Sequence, residues 1–371
     1  MKQEYSCRRQ VNLACQGLIT RNSIAYELAC HFIPQGNVLF SRLQRYDSFL
    51  SEAKLSGAKL TSPYQPGKFL CYLLPFLKAF GATDRRIAEY STVSISLVPG
   101  AGKFLDMIRA CGIPCFFVSS AYRPFIESLG HLLGFRDEEA YYTPMDLDST
   151  AITISELETL KDLADEIINM PPLSWTQRSA VSSTALVPEH LPYCRRLEII
   201  LTEEISGMEI GKILTQGAAL TGIEKVTAVK DSLEKTGNPA EGILYFGGSI
   251  LDADALSWVR KSGGLAVSFN GDKAALQAAE VAVMSGNSAI LAIISDVFYN
   301  QGKEGVLELI GNWDLHTIQT DKLKVHPSLV NELFSHEPDL FPLLELVTRE
   351  NLERLAGASE SCRRMILGGV M

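Results

Sequence analysis

A doubly wound α/β core with an inserted α-helical cap is the fold class that the sequence predicts, on three observations. Apolar runs of strand length fall at 12–15, 115–119, 242–246 and 265–269. Helical patterns flank the later runs, and that alternation builds a mostly parallel sheet covered on both faces. Between the first run and the second the chain reads as helix almost throughout, which makes residues 20–95 an insertion rather than part of the sheet.

Taken in order, the first strand at 12–15 leaves the core almost at once. Ile24-Ala25-Tyr26-Glu27-Leu28-Ala29 and the stretch from Phe69 to Phe80 carry apolar residues at helical spacing and form the predicted cap. Pro99-Gly100 marks its end, after which a helix at 101–111, a strand at 115–119 and a helix at 122–133 restore the alternation. Residues 146–215 fit less well. A helix over 155–169 stops before Pro171-Pro172, and 174–192 is rich in Ser, Thr and Pro without a period, so a site-shielding loop or a mobile linker is expected there. The strand at 242–246 runs into Gly247-Gly248-Ser249 and a helix, and strands at 265–269 and 281–284 extend the sheet. Beyond residue 285, amphipathic helices are predicted at 289–299 and 340–355. The predicted organisation is a core of 1–19 and 96–285, a cap of 20–95 and a helical extension of 286–371.

With 371 residues the chain has room for two domains and a well-buried core. A hydrophobic share of 46% with 21% charged residues is that of an ordinary globular protein. The net charge of −9 argues against a general nucleic-acid or anionic-membrane surface. No apolar run reaches the ~18 residues of a membrane span, and the polar first residues lack a signal-peptide core, so a cytoplasmic location is expected. The eight cysteines are scattered, with Cys111 and Cys115 the closest pair, and they read as buried free thiols rather than a zinc site.

The most informative segment is Tyr245-Phe246-Gly247-Gly248-Ser249-Ile250-Leu251-Asp252. A strand, a tight turn and a helix carrying Asp252 and Asp254 form a context in which enzymes hold magnesium, but Gly248 stands where a leading carboxylate is expected. Three further segments have matching order: Ala14-Cys15-Gln16-Gly17-Leu18 with Asn22 to Leu28 behind it, Phe116-Phe117-Val118-Ser119-Ser120-Ala121-Tyr122, and Thr221-Gly222-Ile223-Glu224-Lys225. On these motifs the chain resembles the haloacid dehalogenase (HAD) superfamily over residues 10–285, and within it the proteins called energy-converting hydrogenase A subunit R. Leu74 to Gly81, Leu97 to Ala101 and Gly263 to Gly271 also read as blocks of that group.

The resemblance implies a nucleophilic Asp at position 14, an acid/base carboxyl at 16, a Ser or Thr at 119, a Lys at 225 and metal-binding acids at 248 and 252. Here positions 14, 16 and 248 are Ala14, Gln16 and Gly248. Alanine has no atom that can attack phosphorus, and the Gln amide cannot trade a proton at neutral pH. Of the expected metal ligands only Asp252 remains, so no cofactor, or at most weakly held magnesium, is expected. The anion-recognising half survives: Ser119, Ser120, Lys225, Gln16 and Ser249 are the expected ligand-binding residues, with Lys230 a second choice for Lys225.

Three functions follow as expectations. A non-catalytic phosphatase-like protein binding phosphate, a phosphorylated small molecule or a protein partner comes first. A phosphomonoester hydrolase with an atypical site would need Cys15 or Ser119 as nucleophile. A structural subunit of a hydrogenase-type complex is the third. His31 reads as packed in the cap rather than as a ligand, Asp254 as a helix-dipole acid, and Arg123 as an extra phosphate contact.

Overall fold

The computed structural model describes residues 9–55, 65–178, 183–214, 219–314, 331, 333 and 342–368. Its centre is a seven-stranded sheet in the order β3-β2-β1-β6-β7-β8-β9. Strand β1 (Gln10–Leu13) lies inside the sheet, parallel to β2 (Cys115–Tyr122) on one side and to the central strand β6 (Ile243–Gly247) on the other. β3 (Ala140–Thr143), β7 (Leu265–Phe269) and β8 (Val281–Met284) continue the parallel pairing, whereas β9 (Leu343–Leu346) runs antiparallel to β8. The mostly parallel α/β core is the predicted class.

The period-two geometry of the strands explains how β1 serves two layers at once. Val11 and Leu13 enter the larger core with Phe117, Phe246 and Val267, under α5 (Ala101–Ala110) and α12 (Ala289–Gly311). Gln10 and Asn12 point to the other face, where both amides donate to Ser232 of α9 (Ile223–Thr236) at 2.8 Å. That face is otherwise closed by apolar residues of α9, α10 (Ala253–Lys261) and α11 (Lys273–Ala278). Each buried amide thus keeps a partner, as burial requires.

Between β1 and α5 the described chain forms α1 (Ile24–Phe32), α2 (Gly36–Leu55), α3 (Phe69–Ala79) and α4 (Asp84–Ser94). The connecting strands meet as a two-stranded hinge, in which Val98 N–H donates to Ile19 O at 2.9 Å and Arg21 N–H to Ser96 O at 2.8 Å. Asn22 locks this hinge by accepting from Ser96 N–H and donating to Ser94 O and to Glu27. Gly100 follows at φ +76°, and a Cβ there would lie 2.0 Å from Asn287 Oδ1. Only glycine fits so close an approach in that conformation.

The helix expected at 155–169 is present as α7 (Ile154–Asn169), whereas the described part of 174–192, expected as a loop or linker, is folded against the helical region in a second layer. Strands β4 (Trp175–Arg178) and β5 (Ser183–Leu186), which pair antiparallel, and α8 (Leu191–Ile199) follow α7 in this layer, and α6 (Arg123–Leu133) precedes it in the chain. Helix α2 binds this layer through Arg42 Nε to Met170 O at 2.6 Å and Trp175 Nε1 to Glu52 Oε2 at 2.6 Å. Helix α3 is buried on nearly every side between the two, which accounts for its uniformly apolar sequence.

The region beyond residue 285 also differs from expectation. The predicted helix at 340–355 is replaced, within its described part, by β9, which is the seventh strand, and by the start of α13 (Leu352–Leu367). Helix α12 continues past 299 to Gly311, with Gly302 out of helical geometry inside it. Helix α12, β9 and α13 are therefore part of the core architecture. Leu355 of α13 is fully buried against Leu276, Ala282 and Met284. No described helix is long and apolar enough to cross a membrane.

Leu355→Ala should lower the main unfolding transition by about 2–4 kcal/mol, the cost of truncating a fully buried leucine. A urea titration followed by tryptophan fluorescence checks this; an unchanged midpoint would mean that α13 is an appendage.

Candidate functional site

The carboxyl ends of β1, β2, β6 and β7 open into one cavity of about 260 Å³. This is where parallel α/β sheets place their ligands. Ala14, Cys15, Gln16, Ser119, Ser120, Lys225, Gly248, Ser249 and Asp252 all line this one space. The roof comes from the helical layer, with Ile24, Phe40, Asp47, Phe69 and Leu70. The remaining wall is α13, which contributes Arg363, Ile366 and Leu367.

Lys225 and Asp252 form the electrostatic centre. Their side chains are 2% and 3% exposed, and Nζ lies 2.5 Å from Oδ1. Tyr245 donates to the same oxygen at 3.1 Å. The other oxygen accepts from Gly248 N–H at 3.0 Å, Ser249 N–H at 3.1 Å and the Ser249 hydroxyl at 3.2 Å. Burial alone would raise the Asp252 carboxyl, but the Lys225 ammonium and the two amides hold it below its ordinary value. The Gly247-Gly248-Ser249 turn is thus wound around one carboxylate, and a short 3₁₀ turn at Ile250–Asp252 is capped by it.

Five donors consume both oxygens of Asp252. Ala14 offers a methyl group, and Gly248 offers no side chain. Magnesium wants near-octahedral oxygen ligands. The donor set does not fit that ion. Among the described residues no group of three or more His, Cys, Asp or Glu side chains could hold a metal.

The Gly248 position is also sterically committed. A Cβ there would stand 2.9 Å from the Phe269 carbonyl oxygen, closer than real side chains come. Gly247 is tighter still, since its Cβ would meet Asp252 Cβ at 2.6 Å. The loop has closed over the place of the expected carboxylate.

The nucleophile candidates are equally constrained. Cys15 is buried beside Ser119, and burial pushes its thiol up to about 12, outweighing the Ser119 hydrogen bond and the nearby Lys225 charge. A thiol so poised is not a thiolate at neutral pH. Ser119 is 2% exposed and its Oγ accepts from Ala121 N–H at 3.2 Å. Ser120 spends its hydroxyl on Leu220 O at 2.8 Å, tying β2 to the segment before α9. Gln16 is exposed at the cavity edge.

Several expectations change. Lys230 lies over the Trp258 ring and takes no part in the cavity. Arg123 faces the Asp84 and Glu127 carboxylates instead of a ligand. His31 is exposed, against Phe32 and Tyr90, rather than packed. Cys30 and Cys111 are exposed, not buried. Asp254 is exposed at the start of α10, in keeping with a helix-dipole acid.

Two site residues escaped sequence reasoning. Arg363 Nη1 donates to Gly248 O at 2.5 Å and approaches Asp272 to 4.0 Å. Asp272 caps α11 by accepting from Ala275 N–H at 2.9 Å and also accepts from Ile250 N–H at 2.7 Å. Its carboxyl is held above the usual range by burial, against the opposing pull of Arg363 and of those amides. The Asn270-Gly271-Asp272 turn signal was available for Asp272. For Arg363, a basic residue on a helix with an exposed polar face, no local signal existed.

Lys225→Met should destabilise the fold by about 3–5 kcal/mol, because Asp252 would remain buried without its counter-charge. The double variant Lys225→Met/Asp252→Asn should recover part of that loss in a thermal-melt comparison. The pair also sets an acid limb. The folded carboxyl sits below its unfolded value, so its contribution is complete above the unfolded value of ~3.9 and fades as pH falls toward the folded value. Melts between pH 6 and 3 should therefore fall less steeply in the double variant. Gly248→Asp should lower stability by about 1–3 kcal/mol through the contact with Phe269 O; a melting temperature equal to the natural protein's would show that the loop yields freely.

No protein-family model matches the sequence, and no curated protein does. Among solved structures, a gene product of Archaeoglobus fulgidus superposes with a TM-score of 0.76 at 21% identity, over 97% of each chain. A phosphoserine phosphatase captured as a phospho-aspartyl intermediate analogue aligns at 0.40 and 12% identity, over 74% of this chain and 92% of its own. A HAD family hydrolase from Salmonella enterica serovar Typhi aligns at 0.40 and 11% identity, over 71% and 62%. The first likeness extends across the whole chain and is one of fold.

Proposed function

We propose that this chain is a HAD-like, phosphatase-fold protein that has lost hydrolase chemistry and binds a small phosphate-containing ligand without a metal. One observation carries the reading: both oxygens of Asp252 are taken up by Lys225, Tyr245 and the Gly248-Ser249 turn, while the neighbouring positions 14 and 248 hold no carboxylate. Positions 14 and 248 therefore supply neither a carboxylate to attack phosphorus nor a ligand for magnesium, and Asp252 is already occupied. The cavity retains the position of such a cleft, at the carboxyl ends of a parallel sheet, beneath a helical roof inserted after β1.

A hydrolase with Cys15 or Ser119 as nucleophile is less well supported. The Cys15 thiol is raised and enclosed, and among the described residues no histidine lines the cavity to activate Ser119. A role as a subunit of a hydrogenase-type complex has only the sequence resemblance behind it.

Phosphate release from an aryl phosphate, with and without magnesium, tests the loss of chemistry. The natural protein is expected to stay at the buffer rate in both conditions. Magnesium-dependent release that Ser119→Ala or Cys15→Ala abolishes would overturn the reading. Rebuilding with Ala14→Asp/Gln16→Glu should give a folded protein, and adding Gly248→Asp should weaken it, because the third carboxylate has no room.

A further inference from the structure

We infer that Arg363 is the ligand-recognising cation of this cleft, standing in for the absent divalent metal, and that the ligand pairs a phosphate group with a short apolar body. This inference rests on the phosphate-binding reading and specifies it. Two cations line the cavity. Lys225 is fully engaged by Asp252 at 2.5 Å, so its charge is already balanced inside the protein. Arg363 is differently placed. Its one hydrogen bond among the described residues goes to a neutral acceptor, the Gly248 carbonyl. Asp272 stands 4.0 Å off, with its oxygens committed to Ala275 and Ile250 amides. The buried Nε of Arg363 has no hydrogen-bond partner among the described residues. A guanidinium has five donors in a fixed plane, suited to two oxygens of a phosphate at once.

The position of that plane matters. It is held against the backbone of Gly248, the residue that replaces the expected metal-binding acid. One loop of the cavity thus carries a cation and no side-chain carboxylate at position 248, while Asp47 and Asp272 are the other acids that line the space besides Asp252. Helix α13 presents Ile366 and Leu367 one turn beyond Arg363, on the same face. Ile24, Phe40, Phe69 and Leu70 of α1, α2 and α3 add further apolar lining, beside Gln44, Asp47 and Ser48 of α2. At about 260 Å³ the cavity lies just below the ~300–1,000 Å³ of sites for drug-sized molecules, which favours a compact ligand.

Isothermal titration with inorganic phosphate and with phenyl phosphate, in buffer containing a chelator, tests this. The natural protein should bind both, phenyl phosphate about tenfold more tightly because its ring is buried. Arg363→Gln should weaken both by about tenfold or more, whereas Leu367→Ala should weaken phenyl phosphate alone. Melting curves establish that each variant is folded; should Arg363→Gln unfold, Arg363→Lys is read in its place, with a smaller loss for both anions. Unchanged binding by the folded arginine variant, alongside loss in Ser119→Ala, would overturn the role of Arg363 and leave the phosphate reading standing. Equal affinity for the two anions would overturn the apolar body. Binding of neither anion by the natural protein would overturn the phosphate reading and this inference together.

Discussion

The contact between Lys225 and Asp252 is the constraint on which the site depends. Two opposite charges sealed from water are tolerable only when each has its counter-charge and every lone pair a donor. Asp252 meets that demand by drawing in the amides of Gly248 and Ser249, and so dictates the course of the turn after β6. The turn's course then brings Gly248 against Phe269 O and places the Gly248 carbonyl where Arg363 reaches it. Lys225, Asp252 and the Gly248-Ser249 amides together hold the loop from inside.

This arrangement explains why the same positions support two different chemical readings. Taken one by one, Ser119, Lys225 and Asp252 are the residues expected of a phosphoryl-transfer site. Taken together in space, Asp252 is occupied by its neighbours and Lys225 by Asp252, and Ser119 is engaged with Cys15 and Ala121. The cavity is also lined by Arg363, Asp272, the edge residue Gln16 and a roof in which Asp47, Gln44 and Ser48 stand among apolar side chains.

Much of the core was legible because its signals are local. The strands at 265–269 and 281–284 match β7 and β8 residue for residue, and the apolar run and turn at 242–248 located β6. The gathering of Ala14, Ser119, Lys225 and Gly248 around one space followed from motif order alone, since residues at the carboxyl ends of neighbouring parallel strands must converge. Two regions were not legible. The hairpin at 175–186 has no apolar alternation strong enough to mark strands, because it is stabilised by tertiary contacts such as Trp175 with Glu52 and Arg45. Strand β9 is only four residues long and pairs across some sixty residues of sequence with β8, so nothing in its own composition distinguishes it from helix. Arg363 was hidden for the same reason: its role comes from where α13 docks, not from its neighbours in the chain.

The order of elements along the chain has a consequence for biosynthesis. Strands β1 to β8 and the whole helical roof precede α13, so they emerge from the ribosome first and can pack before it exists. Until residues 352–367 arrive, the cleft lacks one wall, its Gly248 carbonyl is uncovered, and Leu276 and Met284 are exposed to solvent. The nascent protein therefore passes through a stage in which β1 to β8 can be formed while the pocket is still open on one side, and α13 is the element that closes that side.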